Sequence, residues 1–128
     1  MIGILPKKFS YKIAKDYIRL GKENDGGYVV SKFDVDKSEL LMSFGICDDW
    51  SFESDFSHRK DIKIIAYDAS VNFKFWIKRS LVEMIRSPMS FYFFKKLISY
   101  KKFFKKNHIH VKKFVGLDCN DTKHCSLS

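Results

Sequence analysis

Residues 39–68 read ELLMSFGICDDWSFESDFSHRKDIKIIAYD, and the fold is decided within this stretch. Glu39 to Phe44 is a short continuous apolar run closed by Gly45, the pattern of a strand buried on both faces of a parallel sheet. The polar loop Gly45-Ile46-Cys47-Asp48-Asp49 follows. Phe52 and Phe56 then stand four apart, and Asp49 or Ser51 can cap a helix start. Asp61 to Asp68 returns to strand character through Ile62, Ile64, Ile65 and Tyr67. Strand, glycine turn, helix and strand in about 30 residues make one βαβ unit with a right-handed crossover.

On the amino-terminal side, residues 7–20 place Phe9, Ile13, Tyr17 and Leu20 at spacings of four, four and three, which predicts a short amphipathic helix. Asn24-Asp25-Gly26-Gly27 is a strong turn signal ahead of the β-prone Tyr28-Val29-Val30, so a hairpin is expected there. Asp36-Lys37-Ser38 reads as a loop. On the carboxyl side, residues 72–86 put Phe73, Trp76, Ile77, Leu81, Met84 and Ile85 on one face of an amphipathic helix. Ser87-Pro88 breaks it, and Met89 to Lys106 forms a second helix carrying Phe91, Phe94, Leu97, Ile98 and Phe104. His110 to Leu117 reads as a third strand. The expected organisation is a helix and hairpin over 1–38, a βαβ unit over 39–71, a basic aromatic helical insertion over 72–113, and a strand end with a tail over 114–128.

The 128 residues suit a single domain, and 45% hydrophobic with 30% charged content is that of a folded chain. The longest charge-free runs, Leu40 to Cys47 and Ser87 to Phe94, are eight residues each, against about 20 for a membrane span. Met1 to Pro6 followed by Lys7 and Lys8 has the wrong order for a signal peptide. Three cysteines without CxxC spacing form no disulfide framework, which points to a reduced, cytoplasmic protein. His108, His110, Cys119, His124 and Cys125 match no common zinc-finger spacing, so no metal site is expected.

The net charge of +9 is concentrated. Residues 72–113 hold twelve basic side chains and one acid, Glu83, while the rest of the chain is close to neutral. Such a segment has three readings: a solvated lysine face over an ordinary core, a surface for anionic lipid or an acidic glycan, and a surface for RNA. RNP, finger and helix-turn-helix patterns are missing, which disfavours nucleic acid.

Gly45 and Asp68 carry the chemistry. In open α/β sheets ligands bind outside the carboxyl ends of the strands, where a glycine admits a nucleotide-like ligand to the backbone. An acid about 20 residues on then accepts the ribose hydroxyls. Gly45 and Asp68 are 23 residues apart, and Asp68 stands where the second strand ends. Asp48 and Asp49 at the helix entrance repel a pyrophosphate but tolerate a cation, which favours S-adenosylmethionine over NAD or ATP. The plainer meaning of the same pair is that Gly45 only turns the chain and Asp68 caps a strand end.

Three blocks, Asp25-Gly26-Gly27-Tyr28-Val29-Val30, Ser43-Phe44-Gly45-Ile46-Cys47-Asp48-Asp49-Trp50-Ser51-Phe52-Glu53 and Tyr67-Asp68-Ala69-Ser70-Val71, resemble in order the amino-terminal half of the FkbM-type methyltransferases. Phe114-Val115-Gly116-Leu117 stands where that family's third strand would lie. The resemblance implies a partial Rossmann-like class I methyltransferase sheet, α/β, with its first three parallel strands and flanking helices. It also implies S-adenosylmethionine as methyl donor and a sugar or other small metabolite as acceptor. Phe44, Gly45 and Asp49 would line the methionine side of the cofactor and Asp68 would hold the ribose. On that role, Asp68→Ala removes cofactor binding and spares the fold. The turn at Asp25-Gly26-Gly27-Tyr28 would pack beside the pocket, and Cys47 stands where the family commonly has glycine. The family's later acidic strand motif is absent, so the chain reads as a truncated member with no catalytic residue to name. Its first strand would then keep an unpaired edge open to self-association. The alternative function is a non-enzymatic basic module that binds anionic lipid, acidic glycan or RNA through residues 72–113.

Overall fold

The structure is a computed structural model that describes residues 15–87, 90–105, 107–116 and 124–125. Its amino-terminal part is a hairpin of β1 (Tyr17–Leu20) and β2 (Tyr28–Ser31), antiparallel with Leu20 opposite Tyr28 and Tyr17 opposite Ser31. Tyr17 to Leu20 is therefore strand where helical spacing predicts helix. Pairing with the β-branched Val29 and Val30, and burial of Leu20, outweigh the local periodicity. Phe9 and Ile13 of that expected helix lie outside the described residues. The turn needs glycine for space: a Cβ on Gly27 would lie 1.9 Å from the Lys22 carbonyl oxygen. Helix α1 (Lys32–Lys37) then occupies residues that include part of the expected loop. The Ser31 hydroxyl caps it, accepting from the Asp34 N–H, and the Asp16 carboxylate accepts from the Phe33 N–H at 2.7 Å.

The central unit follows its expected order: β3 (Leu40–Phe44), α2 (Ser51–Arg59) and β4 (Lys63–Tyr67). β3 and β4 pair in parallel from Leu40 opposite Lys63 to Phe44 opposite Tyr67. Two further helices, α3 (Phe73–Arg86) and α4 (Tyr92–Phe103), come before β5 (His108–Val111). β5 pairs in parallel with β4, giving a three-stranded sheet of order β3-β4-β5 and an α/β fold.

The third strand is thus His108–Val111, which overlaps the expected His110 to Leu117 only at its start. Val111 stands opposite Tyr67, the last residue of β4, so anything beyond Val111 has no partner strand left in the sheet. Phe114-Val115 forms β6 (Phe114–Val115) instead, in a separate parallel ladder with β7 (His124–Cys125). The resemblance-based placement of the third strand at Phe114 to Leu117 is corrected with it.

Strand alternation sends Leu41, Ser43, Ile64 and Ala66 to one face of the sheet. Ile64 and Ala66 are fully buried there. Ile64 joins Leu20, Val35, Phe56 and Ile62 in one core cluster, and Ala66 joins Ile46, Trp50, Val71 and Trp76 in the other. The opposite face carries Leu40, Met42 and Phe44, and all three are exposed. β3 was expected to be buried on both faces. It is covered on one, because the hairpin and the helices cluster over the Ile64 and Ala66 side. Among the described residues β3 also pairs only with β4, which leaves its outer edge free.

In α3 the expected apolar face divides: Trp76 is buried, whereas Phe73, Ile77, Leu81, Met84 and Ile85 are exposed. α4 packs through Phe93, Leu97, Tyr100 and Phe103 and leaves Phe94 and Ile98 outside. Glu83, the only acid of the basic segment, joins the two helices. Its carboxylate accepts from the N–H groups of Tyr92 and Phe93 at 3.1 and 2.8 Å and from the Ser90 hydroxyl, capping α4.

Candidate functional site

The carboxyl ends of β3 and β4 open onto two clefts that share Phe44 and Gly45. Gly45 has a φ of +73°, the left-handed region that an L side chain enters only with strain. Its N–H donates to the Tyr67 carbonyl at 3.0 Å, so the turn stays tied to the neighbouring strand. Among the described residues, a Cβ placed on Gly45 would meet no atom within 4 Å beyond its own chain neighbours, so the space beside it is cleft.

The larger cleft, of about 570 Å³, is acidic. Asp25, Asp48, Asp49 and Glu53 line it, with Arg79 as its cation. Asp49 accepts from Lys22 Nζ at 2.8 Å and from the Ser51 N–H at 3.0 Å. Burial alone would raise its pKa, but these hydrogen bonds outweigh it and hold the carboxyl below the usual value. Asp48 behaves alike: burial raises it, and the charge and hydrogen bond of Lys96 at 3.3 Å bring it net below. Glu53 goes the other way. It is only 6% exposed, and burial pushes its pKa up although the Ser43 hydroxyl donates to Oε1 at 2.6 Å. Gly26 and Tyr28 also line this cleft, so the glycine turn does stand beside the pocket. It is pinned there by Asp55, which accepts from the Gly21 N–H at 2.8 Å, and by Ser51, whose hydroxyl donates to the Gly26 carbonyl at 3.2 Å.

The second cleft, of about 520 Å³, is mainly apolar and lined by Phe44, Gly45, Tyr67, Asp68, Phe114 and Val115. The Phe44 and Tyr67 rings stack with centroids 5.7 Å apart. Asp68 is 4% exposed, and its carboxylate already holds internal donors. Oδ2 accepts from the Cys47 N–H at 2.8 Å, and Oδ1 accepts from the Ser70 N–H at 2.7 Å and its hydroxyl at 2.5 Å. Burial pushes the Asp68 carboxyl up, and these bonds outweigh it, leaving its pKa lowered. A carboxylate offers about four lone-pair sites, so one on Oδ2 remains. Two ribose hydroxyls would require the Ser70 hydroxyl to turn away.

Cys47 sits at φ +46°, which gives a physical reason for the glycine expected at that position. Its side chain is exposed, and partial burial of the thiol is the main cause raising its pKa. Behind Asp68, His110 Nε2 lies 2.9 Å from the Asp68 carbonyl, and His110 Nδ1 contacts the Tyr100 hydroxyl. A carbonyl only accepts, so the network assigns the proton to Nε2 and leaves Nδ1 to accept from Tyr100. Burial lowers the His110 pKa, in keeping with a neutral ring.

The structure therefore brings Phe44, Gly45 and Asp49 to the acidic cleft, and Phe44, Gly45 and Asp68 to the apolar one. The sequence reading assigned no role at this site to Glu53, Arg79 or Tyr100, set Asp25 only in a turn beside the pocket, and weighed His110 only as a metal ligand. Phe52-Glu53 follows the helix start directly, and an acid one turn into an apolar-spaced helix was the available signal. Arg79, Tyr100 and His110 reach the site from distant elements and carry no local signature. Comparison with protein-family models, with curated proteins and with solved structures gives no match.

Proposed function

We propose that this chain binds S-adenosylmethionine as the cofactor-binding part of a Rossmann-like, class I methyltransferase domain related to the FkbM type. Gly45 is the observation that carries the proposal: a left-handed turn at the end of β3 whose missing Cβ leaves open cleft rather than protein packing. The two clefts that meet at Gly45 differ as the two halves of this cofactor do. The apolar cleft, with Asp68 at its edge, suits a nucleoside whose ribose donates to Oδ2. The acidic cleft suits the sulfonium and the ammonium of the methionine side: Arg79 and the lysines paired with Asp48 and Asp49 leave its four carboxylates in excess by one, which favours a cation over a polyphosphate. Volumes of 520–570 Å³ fall in the usual range for small-molecule sites. The methyl acceptor on this proposal is a sugar hydroxyl or a similar small metabolite.

Calorimetric titration with S-adenosylmethionine, its demethylated product and ATP tests this. Binding of the first two but not ATP is expected. Gly45→Ala should remain folded, since its Cβ meets none of the described elements, at a cost of about 1–2 kcal/mol for the left-handed backbone. Its methyl group intrudes on the cleft, so affinity should fall at least tenfold. Absence of any binding by the parent, or equal binding by Gly45→Ala, overturns the proposal.

A further inference from the structure

We infer that the outer faces of α3 and α4 form a docking surface for an anionic lipid bilayer. The first ground is exposed hydrocarbon. Phe73 is 77% and Ile85 80% exposed, and Ile77, Leu81 and Met84 lie along the same helix, also exposed. Phe73, Ile77, Leu81 and Met84/Ile85 recur at helical spacing, so they form one stripe down a 14-residue helix. α4 adds Phe94 and Ile98. Most of the stripe on α3 is aliphatic, which a bilayer interior accommodates and a nucleobase or sugar does not stack upon.

Charge is the second ground. Residues 72–113 carry twelve cations and one acid, and that acid, Glu83, is spent capping α4. Among the described residues only Lys96 of these cations is in an ion pair. Lys74, Lys78, Lys95, Lys101 and Lys102 are exposed beside the apolar side chains. A second copy of this chain is a poor occupant, because a symmetric interface would bring two such cationic faces together. An anionic headgroup layer over hydrocarbon matches both properties, with the helices lying in the interface plane and the lysine stems reaching up to the phosphates. No helix among the described residues is long and apolar enough to cross a membrane, so contact is peripheral. Arg79 of α3 lines the acidic cleft, but none of the apolar stripe residues lines either cleft at Gly45, and the inference stands whether or not the cofactor proposal does.

Sedimentation of the full chain with vesicles of phosphatidylcholine alone, and with 30% phosphatidylglycerol added, tests it. Binding only to the anionic vesicles, and its loss in 1 M salt, is expected as screening shortens to about 3 Å. Replacing Lys74, Lys78, Lys101 and Lys102 by Gln should weaken binding at least a hundredfold, at about fivefold per cation. Phe73→Ser with Ile85→Ser, both on exposed side chains that leave the core intact, should weaken it at least tenfold. Equal binding to neutral vesicles, or binding indifferent to either set of substitutions, overturns the inference. So does capture of homopolymeric RNA without vesicles, or a dimer by light scattering that Phe73→Ser with Ile85→Ser dissolves while vesicles are ignored.

Discussion

Asp68→Ala tests the structural use of a carboxylate that we also propose as a ligand acceptor. In the folded chain Asp68 fastens the loop after β3 to the end of β4, through the Cys47 N–H at 2.8 Å and both donors of Ser70. Removing it leaves the Cys47 N–H unpaired in a part-buried position. One hydrogen bond to a charged acceptor is worth about 1.5–3 kcal/mol. Ser70 is exposed and rehydrates, so its two donors add less than about 1 kcal/mol. The expected loss is about 2–4 kcal/mol, a large part of the 5–15 kcal/mol typical of a domain. With a urea dependence of about 2 kcal/mol per molar, the middle of the usual range, the midpoint should fall by about 1–2 M. Trp50 and Trp76, buried together in one cluster, report the transition by fluorescence. Asp68→Asn keeps a neutral acceptor and should lose about half as much. The acid limb adds a second readout. Hydrogen bonds hold the folded pKa below 3.8, so the unfolded chain takes the proton more readily. The stability Asp68 contributes is complete above the unfolded value and is lost as pH falls through the folded one. Asp68→Asn should flatten that limb. A midpoint within 0.3 M of the parent, with the acid limb unchanged, would refute the structural role. The expectation that this substitution spares the fold does not survive the geometry.

Cys47→Gly should leave stability unchanged or raise it by up to about 1 kcal/mol, since relief of the left-handed backbone exceeds the entropy glycine adds. Cys47→Val should lose more than about 1 kcal/mol; chemical denaturation that ranks the valine variant with the glycine one would contradict the backbone assignment. Glu53→Gln should raise stability at pH 7 and keep the Ser43 contact. Burial raises the folded pKa of Glu53, so its contribution is greatest below the unfolded value near 4.5 and is lost as pH rises through the folded one. Thermal melts between pH 4 and 8 should show that slope in the parent and lack it in the variant. Ile64→Ala, at the fully buried centre of β4, should cost about 2–5 kcal/mol, and a loss under 1 kcal/mol would mean that the sheet face is not packed as described.

The βαβ unit was legible because its signals are local. Apolar runs, a glycine and a four-residue aromatic spacing placed β3 and β4 within about two residues of where they lie and found the start of α2, which runs on to Arg59. The spans of α3 and α4 were legible for the same reason, through their periodicity and the break at Ser87-Pro88. Which side of α3 is buried was not, because the same period fits Trp76 turned inward and Phe73 and Ile85 turned outward. β1 failed because a strand is made by its partner: Ile18 pairs with Val30 twelve residues away, and no window over Tyr17 to Leu20 contains that fact. β5 failed likewise, since the end of β4 decides where pairing stops.

At the site, sequence alone placed Gly45 and Asp68 at the carboxyl ends of two strands joined by a parallel crossover, and the pairing of β3 with β4 makes those strands neighbours. Tertiary structure alone decided what they face. Gly45 looks onto open space because none of the described elements packs over it, and Asp68 is occupied because the Cys47 and Ser70 donors converge on it from two loops. The charge of Glu53 belongs to the same class. A pKa raised by burial depends on how much water the surrounding elements exclude, and that is a property of packing which no spacing along the chain contains.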